Sequence, residues 1–202
     1  MAINVPPAVA VFCGASPGRA SFRRSAMELG GSIANRGSRL IYGGAATGLM
    51  GAVADACLDA GGAVVGVIPR QLQRYEVAHA RLTQLELVVS MHERKARMAD
   101  LAQAFVALPG GFGTMDETFE VLTWLQLGIH TKPICFLNVE GYFDEIEGWV
   151  GRAASEGFVK SVFSDSLRFC ESIEEVWHHF ATFIPPAHIF SASGLEQGTA
   201  ER

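Results

Sequence analysis

The chain has few charged residues, and this low charge content limits the classes of protein to which it can belong. Asp, Glu, Lys and Arg make up 18% of its 202 residues, whereas globular proteins usually carry ~25%. Because protein interfaces are depleted in charge at their centres, a low charge content indicates surface that is covered in an oligomer. The net charge of -5 opposes a nucleic-acid partner, since proteins that bind nucleic acids normally carry an excess of basic residues.

Paired cysteines, long apolar runs and a basic N-terminus are also lacking. The four cysteines are scattered without a C-x-x-C pair, each in an apolar neighbourhood, which predicts buried, reduced thiols. No apolar stretch reaches the ~18 residues of a membrane span. The first basic residue is Arg19, so a signal peptide's basic start is missing. We therefore expect a cytoplasmic protein without a membrane or nucleic-acid partner.

Metal-ligand spacing is absent as well. His92 and Glu93 are followed by Ala96 at the position where H-E-x-x-H requires a second histidine. His178 and His179 are neighbours, so on a helix their side chains point about 100° apart and share an ion poorly. The sequence predicts no metal site.

What the chain does have is a regular alternation of short apolar runs with longer helical patterns. The predicted strands are residues 8–13, 39–42, 63–68, 85–89, 104–108, 133–137 and 166–170. The predicted helices are residues 20–36, 48–60, 91–102, 114–127, 142–155 and 172–183. Runs of Val, Ile, Leu and Ala without polar alternation are typical of strands buried on both faces. The pattern predicts an α/β fold, a doubly wound and mainly parallel sheet with helices on both faces.

Glycine-rich turns follow three of these strands. They are residues 13–18, 42–48 and 109–113. Ligands bind outside the carboxyl ends of parallel strands, and glycine lets the backbone approach a ligand closely. One such turn is best explained as an ordinary connection, but three at one edge of the sheet predict a binding site, which includes Gly14, Ser16 and Gly44.

None of the three turns carries a common nucleotide or esterase motif. The dinucleotide fingerprint G-x-G-x-x-G is missing, and residues 43–48 are followed by Leu49 instead of the lysine of a P-loop. Residues 14–18 match G-x-S-x-G, but Pro17 lacks the N–H that the oxyanion hole of a nucleophile elbow needs. The sequence therefore excludes these three classes of site.

The most informative turn is residues 108–117, with the sequence L-P-G-G-F-G-T-M-D-E. A strand, a glycine turn and a helix in this order aim backbone N–H groups and a positive helix end at an anion. A simpler interpretation makes Thr114 the N-cap and Glu117 its partner in a capping box. The capping box explains the carboxylate of Glu117 but not the three glycines Gly110, Gly111 and Gly113. The capping box and the anion site are compatible, because the cap can hold Glu117 beside the anion.

A second informative segment, residues 90–95, places two cations at the start of a helix. Ser90 and Glu93 match another capping box. Arg94 and Lys95 then fall in the first turn, where the helix dipole disfavours cations. One interpretation is a solvated pair near Glu93. The other is that the cations face an anion, since Arg grips phosphate or carboxylate with two N–H groups.

These two segments resemble the LONELY GUY (LOG) family. Residues 109–117 match its P-G-G-x-G-T-x-x-E motif, and residues 91–95 match its second signature around an Arg-Lys pair. The resemblance covers residues 9–183. It implies a homodimer with a Rossmann-like fold and no metal or cofactor. The implied activity is that of a cytokinin riboside 5′-monophosphate phosphoribohydrolase, which splits N6-modified AMP, and in many members AMP itself, into free base and ribose 5-phosphate.

The resemblance also implies which residues act. Arg94 and Glu117 match the catalytic pair. The matching nucleotide-binding positions are Glu76, Lys95, Gly111, Phe112, Gly113, Thr114, Met115, Asp116 and Thr123, to which the glycine turns add Gly14, Ser16, Gly44 and Gly110. Ala45, Asp116 and Phe22 replace a usual Gly, Glu and Tyr, which leaves the substrate preference open. An older description calls the family lysine decarboxylases. The sequence does not support this activity, because it shows no pyridoxal-phosphate signature.

We expect residues 1–184 to form a single nucleotide-binding catalytic domain and residues 185–202, which contain two prolines and little periodicity, to form a mobile tail. The main alternative function is a non-catalytic nucleotide or cofactor carrier on the same fold. The presence of both Arg94 and Glu117 favours the hydrolase, because a carrier needs no carboxylate at the sugar.

Overall fold

A seven-stranded parallel sheet forms the centre of the protein. The structure, a computed structural model, describes residues 5–72 and 78–190. The sheet order is β4-β3-β2-β1-β5-β6-β7, and every pairing is parallel. The strands are β1 (Ala8–Phe12), β2 (Arg39–Tyr42), β3 (Val64–Pro69), β4 (Gln84–Val88), β5 (Ala104–Ala107), β6 (Ile134–Leu137) and β7 (Arg168–Cys170).

Helices cover both faces of this sheet. They are α1 (Ala20–Asn35), α2 (Gly48–Asp59), α3 (Met91–Leu101), α4 (Phe112–Gln126), α5 (Asp144–Ser155), α6 (Ser161–Ser166) and α7 (Ile173–Thr182). Successive side chains of a strand point to opposite faces, so Val9 and Val11 pack into the core with α1, α2 and α7. Ala10 and Phe12 pack into a second core with α3, α4 and α5. The predicted doubly wound, Rossmann-like arrangement is confirmed.

Two local predictions were wrong, both far from the sheet centre. Strand β4 is not buried on both faces, because it lies at the sheet edge and exposes Gln84, Leu85 and Leu87. The helix α6 was not predicted, and β7 begins two residues later than expected. A six-residue helix with three serines shows too few turns for a helical period to be recognised.

The four cysteines are confirmed as buried and free. Nowhere in residues 5–72 and 78–190 is a helix both long and apolar enough to cross a membrane. At the end of the described chain, the Ile189 N–H donates to the Gln126 carbonyl at 3.0 Å, so this part of the predicted tail contacts the end of α4. Residues 191–202 lie outside the described residues, and the mobile tail stays a prediction.

The order of the strands switches at β1: β2, β3 and β4 lie on one side of it, and β5, β6 and β7 lie on the other. The loops that follow β1 and β5 meet there, and the Gly14 N–H donates to the Pro109 carbonyl at 3.1 Å. A Cβ on Gly110 would lie 2.9 Å from the Gly14 nitrogen, so only glycine allows this approach. Ligands of open α/β sheets bind in the crevice at such a switch point.

Helices α1 and α2 also approach each other closely, at Gly30. A Cβ added to Gly30 would overlap the Val53 carbonyl, whereas a Cβ on the neighbouring Gly31 meets nothing within 4 Å. The two glycines therefore form a matched pair in one helix.

We expect Gly30→Ala to lower the free energy of unfolding by about 1–3 kcal/mol, because the extra methyl group forces α1 and α2 apart. Gly31→Ala is the control and should raise the same free energy by up to about 1 kcal/mol, since Ala favours a helix over Gly. Denaturant unfolding of both variants measures the difference. Equal effects of the two substitutions would contradict this packing.

Candidate active site

A cavity of about 590 Å³ lies at the switch point of the sheet. Its wall comes from the loops after β1 and β5, the starts of α1, α2, α3 and α4, the segment after β3, and one residue near α5. Of the sequence-predicted site residues, the structure places these on the wall: Gly14, Ser16, Arg94, Gly110, Gly111, Gly113, Thr114, Asp116 and Glu117. The fold thus brings both signature segments to one cavity.

The centre of this cavity is an ion pair between Arg94 and Glu117. Arg94 Nη2 lies 3.6 Å from Glu117 Oε1, and the two side chains are only 6% and 11% exposed. Charges removed from water in this way are retained when each compensates the other. Arg94 comes from α3 and Glu117 from the second turn of α4, so the pair joins two helices across the site.

The start of α3 explains why Arg94 points into the cavity. The predicted capping box is present in a shifted form. The Glu93 N–H donates to Ser90 Oγ at 3.1 Å, but Glu93 Oε2 accepts from the N–H of Val89, the residue before the N-cap, at 2.7 Å. The first of these bonds satisfies a backbone N–H group that a helix end leaves without a partner. The helix therefore begins at Met91, and Arg94 lies one turn inside it.

The glycine turn lines another part of the cavity. Helix α4 begins at Phe112 with Gly111 as its N-cap. The first N–H groups of a helix have no partner within it and carry the positive end of the helix dipole. A Cβ on Gly111 or Gly113 would meet nothing within 4 Å, so both glycines leave space beside these N–H groups. The turn can accept an anionic group such as a phosphate.

The predicted capping box of Thr114 and Glu117 is wrong. Thr114 is the third residue of α4, and no side chain caps the helix at Gly111. The Thr114 hydroxyl instead lies against Gly110, where any Cβ would overlap it. Thr114 and Glu117 have the spacing of a capping box in the sequence, but the helix begins before them, and a glycine N-cap has no side chain to mark it.

Lys95 is placed away from the cavity wall. Its ammonium group lies 3.0 Å from Asp116 Oδ2 and 3.2 Å from Glu120 Oε2. Burial by itself lowers the pKa of Lys95, but the two carboxylates outweigh this effect and raise the pKa above its usual value. Lys95 is thus a second ionic link between α3 and α4, next to the Arg94–Glu117 pair.

Other predicted residues also lie apart from the cavity. Phe112 is 97% exposed, and Met115 packs against the core of α3, α4 and α5. Gly44 has a φ of 83° and accepts the His79 N–H at its carbonyl. The Thr123 hydroxyl donates to the Phe119 carbonyl at 2.7 Å and lies at a separate groove near α5. Glu76 falls in residues 73–77, outside the described residues.

Sequence reasoning missed the apolar wall of the cavity. It is formed by Phe22, Leu49, Met50, Leu72 and Met91. Isolated apolar residues on separate elements carry no local pattern, so only their convergence in the fold reveals them. Phe22 was noticed solely as a departure from the family's usual Tyr.

Tyr142 was missed as well, although it supports the glycine turn directly. Its hydroxyl donates to the Gly110 carbonyl at 2.7 Å, and its ring meets the Phe22 ring edge-to-face at a centroid distance of 5.2 Å. The residue lies 32 positions from Gly110, with no motif around it. Tyr142 closes the cavity on the side of the glycine turn.

Cys13 lines the cavity but is unsuited to act as a nucleophile. Burial, reinforced by the negative charge of Glu117, raises the pKa of the Cys13 thiol well above its usual range. The thiolate is the reactive form of cysteine, so this thiol stays protonated and inert. Across the two described ranges of the chain, no group of three or more His, Cys, Asp or Glu side chains is placed to hold a metal ion.

Comparisons with known proteins found relatives that cover most of the chain. The family model described as "Possible lysine decarboxylase" matches residues 50–180. A cytokinin riboside 5′-monophosphate phosphoribohydrolase of Rhodococcoides fascians is 48% identical over 171 residues, which is 84% of this chain and 86% of the relative. An Arabidopsis thaliana protein of the same name is 40% identical over 178 residues, or 88% of this chain and 84% of the relative.

Solved structures agree at the level of the fold. The molybdenum cofactor carrier protein of Chlamydomonas reinhardtii has a TM-score of 0.67 at 21% identity, covering 89% of this chain and all of that one (100%). Likeness at this identity concerns the fold alone. The family model and the two relatives go further, and on their evidence this chain belongs to the LONELY GUY (LOG) family.

Proposed function

We propose that this protein hydrolyses the N-glycosidic bond of cytokinin riboside 5′-monophosphates, and of AMP, to free base and ribose 5-phosphate. The observation that carries the proposal is the buried pair of Arg94 and Glu117, 3.6 Å apart, in a cavity that also contains an anion-binding glycine turn. Relatives that are 40% to 48% identical over most of the chain bear the name of this activity.

The glycine turn binds the 5′-phosphate in this proposal. Backbone N–H groups at the start of α4 supply the donors, and Gly111 and Gly113 leave the necessary space. Because the phosphate does not react, its binding energy serves to position the ribose for the chemical step. Tyr142, through its bond to the Gly110 carbonyl, keeps this turn in place.

Glu117 acts at the sugar. Breaking the bond between C1′ and the base nitrogen builds positive charge on the ribose, and a nearby carboxylate stabilises that charge. Water supplies the hydroxyl group that C1′ gains and the proton that the leaving base takes up. Arg94, whose Nη2 lies 3.6 Å from Glu117 Oε1, fixes the direction of this carboxylate.

The apolar wall receives the base. Phe22, Leu49, Met50, Leu72 and Met91 line this part of the cavity, and side chains of this type suit a purine ring with an apolar N6 substituent. The cavity therefore combines a phosphate site, a carboxylate and an apolar wall, the three features that a nucleotide requires.

The direct test is a base-release assay with isopentenyladenosine monophosphate and AMP. Chromatography should detect the free base and ribose 5-phosphate in equal amounts. Binding of either nucleotide without release of base would overturn the hydrolase and support the carrier alternative.

We expect Glu117→Gln to lower kcat by at least ~100-fold, because the amide keeps the shape of the side chain but cannot stabilise positive charge at C1′. The fold should stay close to that of the wild type in circular dichroism. Glu120→Gln is the matched control, since Glu120 lies one turn further along α4 and pairs with Lys95. Turnover by Glu117→Gln at the level of this control would refute the assignment.

Arg94→Ala should lower kcat/KM by about a hundredfold or more, equivalent to about 3 kcal/mol of transition-state stabilisation. The cause is the loss of the charge that orients Glu117. Steady-state kinetics measure the effect, and Arg97→Ala, one turn further along α3 and paired with Glu86 on β4, provides the control. A change below twofold would mean that Arg94 has no part in the reaction.

We also propose that the enzyme is a cytoplasmic homodimer. Support comes from the low charge content, from the exposure of Phe112, Phe158 and Ile129 at 97%, 86% and 64%, and from four cysteines that stay free, as cytoplasmic thiols do. Contact with a second copy would cover such side chains, and aromatic residues are enriched in protein interfaces.

Sedimentation velocity at micromolar concentration should give twice the chain mass of 21.7 kDa. Added salt should not dissociate the dimer, because apolar contacts are not screened by ions. A monomer mass over the whole concentration range would contradict the proposal.

A further inference from the structure

The Arg94 guanidinium is held in place with few hydrogen bonds. Nη2 lies 3.6 Å from Glu117 Oε1, and Nη1 donates to the Met91 sulfur at 3.8 Å. Nε is buried and has no hydrogen-bond partner within the described parts of the chain. A buried cation with so few partners is not fixed by directional bonds. Something other than hydrogen bonding must determine its position.

The shape of the surroundings supplies that constraint, and Gly43 is its centre. Gly43 follows β2 directly and is buried. A Cβ on Gly43 would overlap Arg94 Nη2, and it would lie 3.1 Å from Arg94 Cζ and 2.9 Å from the Met50 sulfur. The guanidinium therefore lies in a place that exists only because residue 43 has no side chain. We call Gly43, Met50 and Met91 the guanidinium site.

The backbone does not by itself require glycine at this position. Gly43 is absent from the glycines with positive φ, in contrast to its neighbour Gly44 with a φ of 83°. An alanine can adopt the conformation of residue 43 without backbone strain. The contact with Arg94 and Met50 is thus the main consequence of adding a methyl group here.

We infer that Gly43 is a positioning residue for the proposed reaction, acting through Arg94. Its missing side chain lets the guanidinium lie flat beside the carboxyl end of β2 and face Glu117. A methyl group at residue 43 pushes the guanidinium into the cavity, where it parts from Glu117 and occupies space needed by the nucleotide. The inference rests on the proposed function, since it assigns Gly43 a role only through Arg94.

The test is a double-mutant cycle of Gly43→Ala, Arg94→Ala and the double variant, with Gly31→Ala as a control for adding a methyl group away from the site. Gly43→Ala should lower kcat at least ~10-fold, and the control should not change it. Because both substitutions act on one group, the double variant should match Arg94→Ala within about twofold. Two results would overturn the inference. One is a double variant whose loss of kcat is the product of the two single losses, and the other is a Gly43→Ala enzyme with wild-type kcat.

Thermal unfolding of the same four variants gives a readout that does not depend on activity. Gly43→Ala should lower Tm, because the methyl group and the guanidinium compete for one space. Removing the guanidinium should relieve the conflict, so Gly43→Ala should lower Tm less in the Arg94→Ala background than in the wild type. A Gly43→Ala substitution that lowers Tm equally in both backgrounds would contradict the guanidinium site. If the wild-type protein releases no base, the proposed function fails, while this stability cycle still decides whether Gly43 holds Arg94.

Discussion

The candidate site depends above all on one buried ion pair, between the guanidinium of Arg94 and the carboxylate of Glu117. Each charge by itself is costly to remove from water, and each is compensated by the other. The pair also links α3 to α4, because the two side chains come from different helices. Lys95, with Asp116 and Glu120, repeats the same link one residue further along α3.

Glycine makes this arrangement possible at several points around the pair. Gly110 lies against the Thr114 hydroxyl and the Gly14 nitrogen, and Gly43 lies against Arg94. In both cases another group occupies the space of the missing Cβ. Gly111 and Gly113 differ, because their missing Cβ atoms leave open space. The missing side chains of Gly110 and Gly43 thus permit close packing, whereas those of Gly111 and Gly113 leave room for a ligand.

Much of the fold could be predicted because its signals are local. Buried strands such as β1 and β3 are continuous apolar runs, and the capping box of Ser90 and Glu93 lies within four residues. The start of α4 could not be predicted, since its N-cap is Gly111, a residue without a side-chain signal. The position of Lys95 was equally hidden, because a charged residue in a sequence does not reveal whether its partner is a ligand or another helix.

The sequence by itself determined the parallel α/β sheet and the two signature segments, because period, glycine turns and motif spacing are properties of neighbouring residues. Arg94 and Glu117 became a candidate catalytic pair through the family resemblance that these segments carry. The tertiary structure alone decided that Phe22, Met50 and Tyr142 line the same cavity, that Lys95 faces carboxylates, and that Gly43 lies against Arg94. These contacts join residues far apart in the chain, and they form only when the sheet brings the carboxyl ends of its strands together.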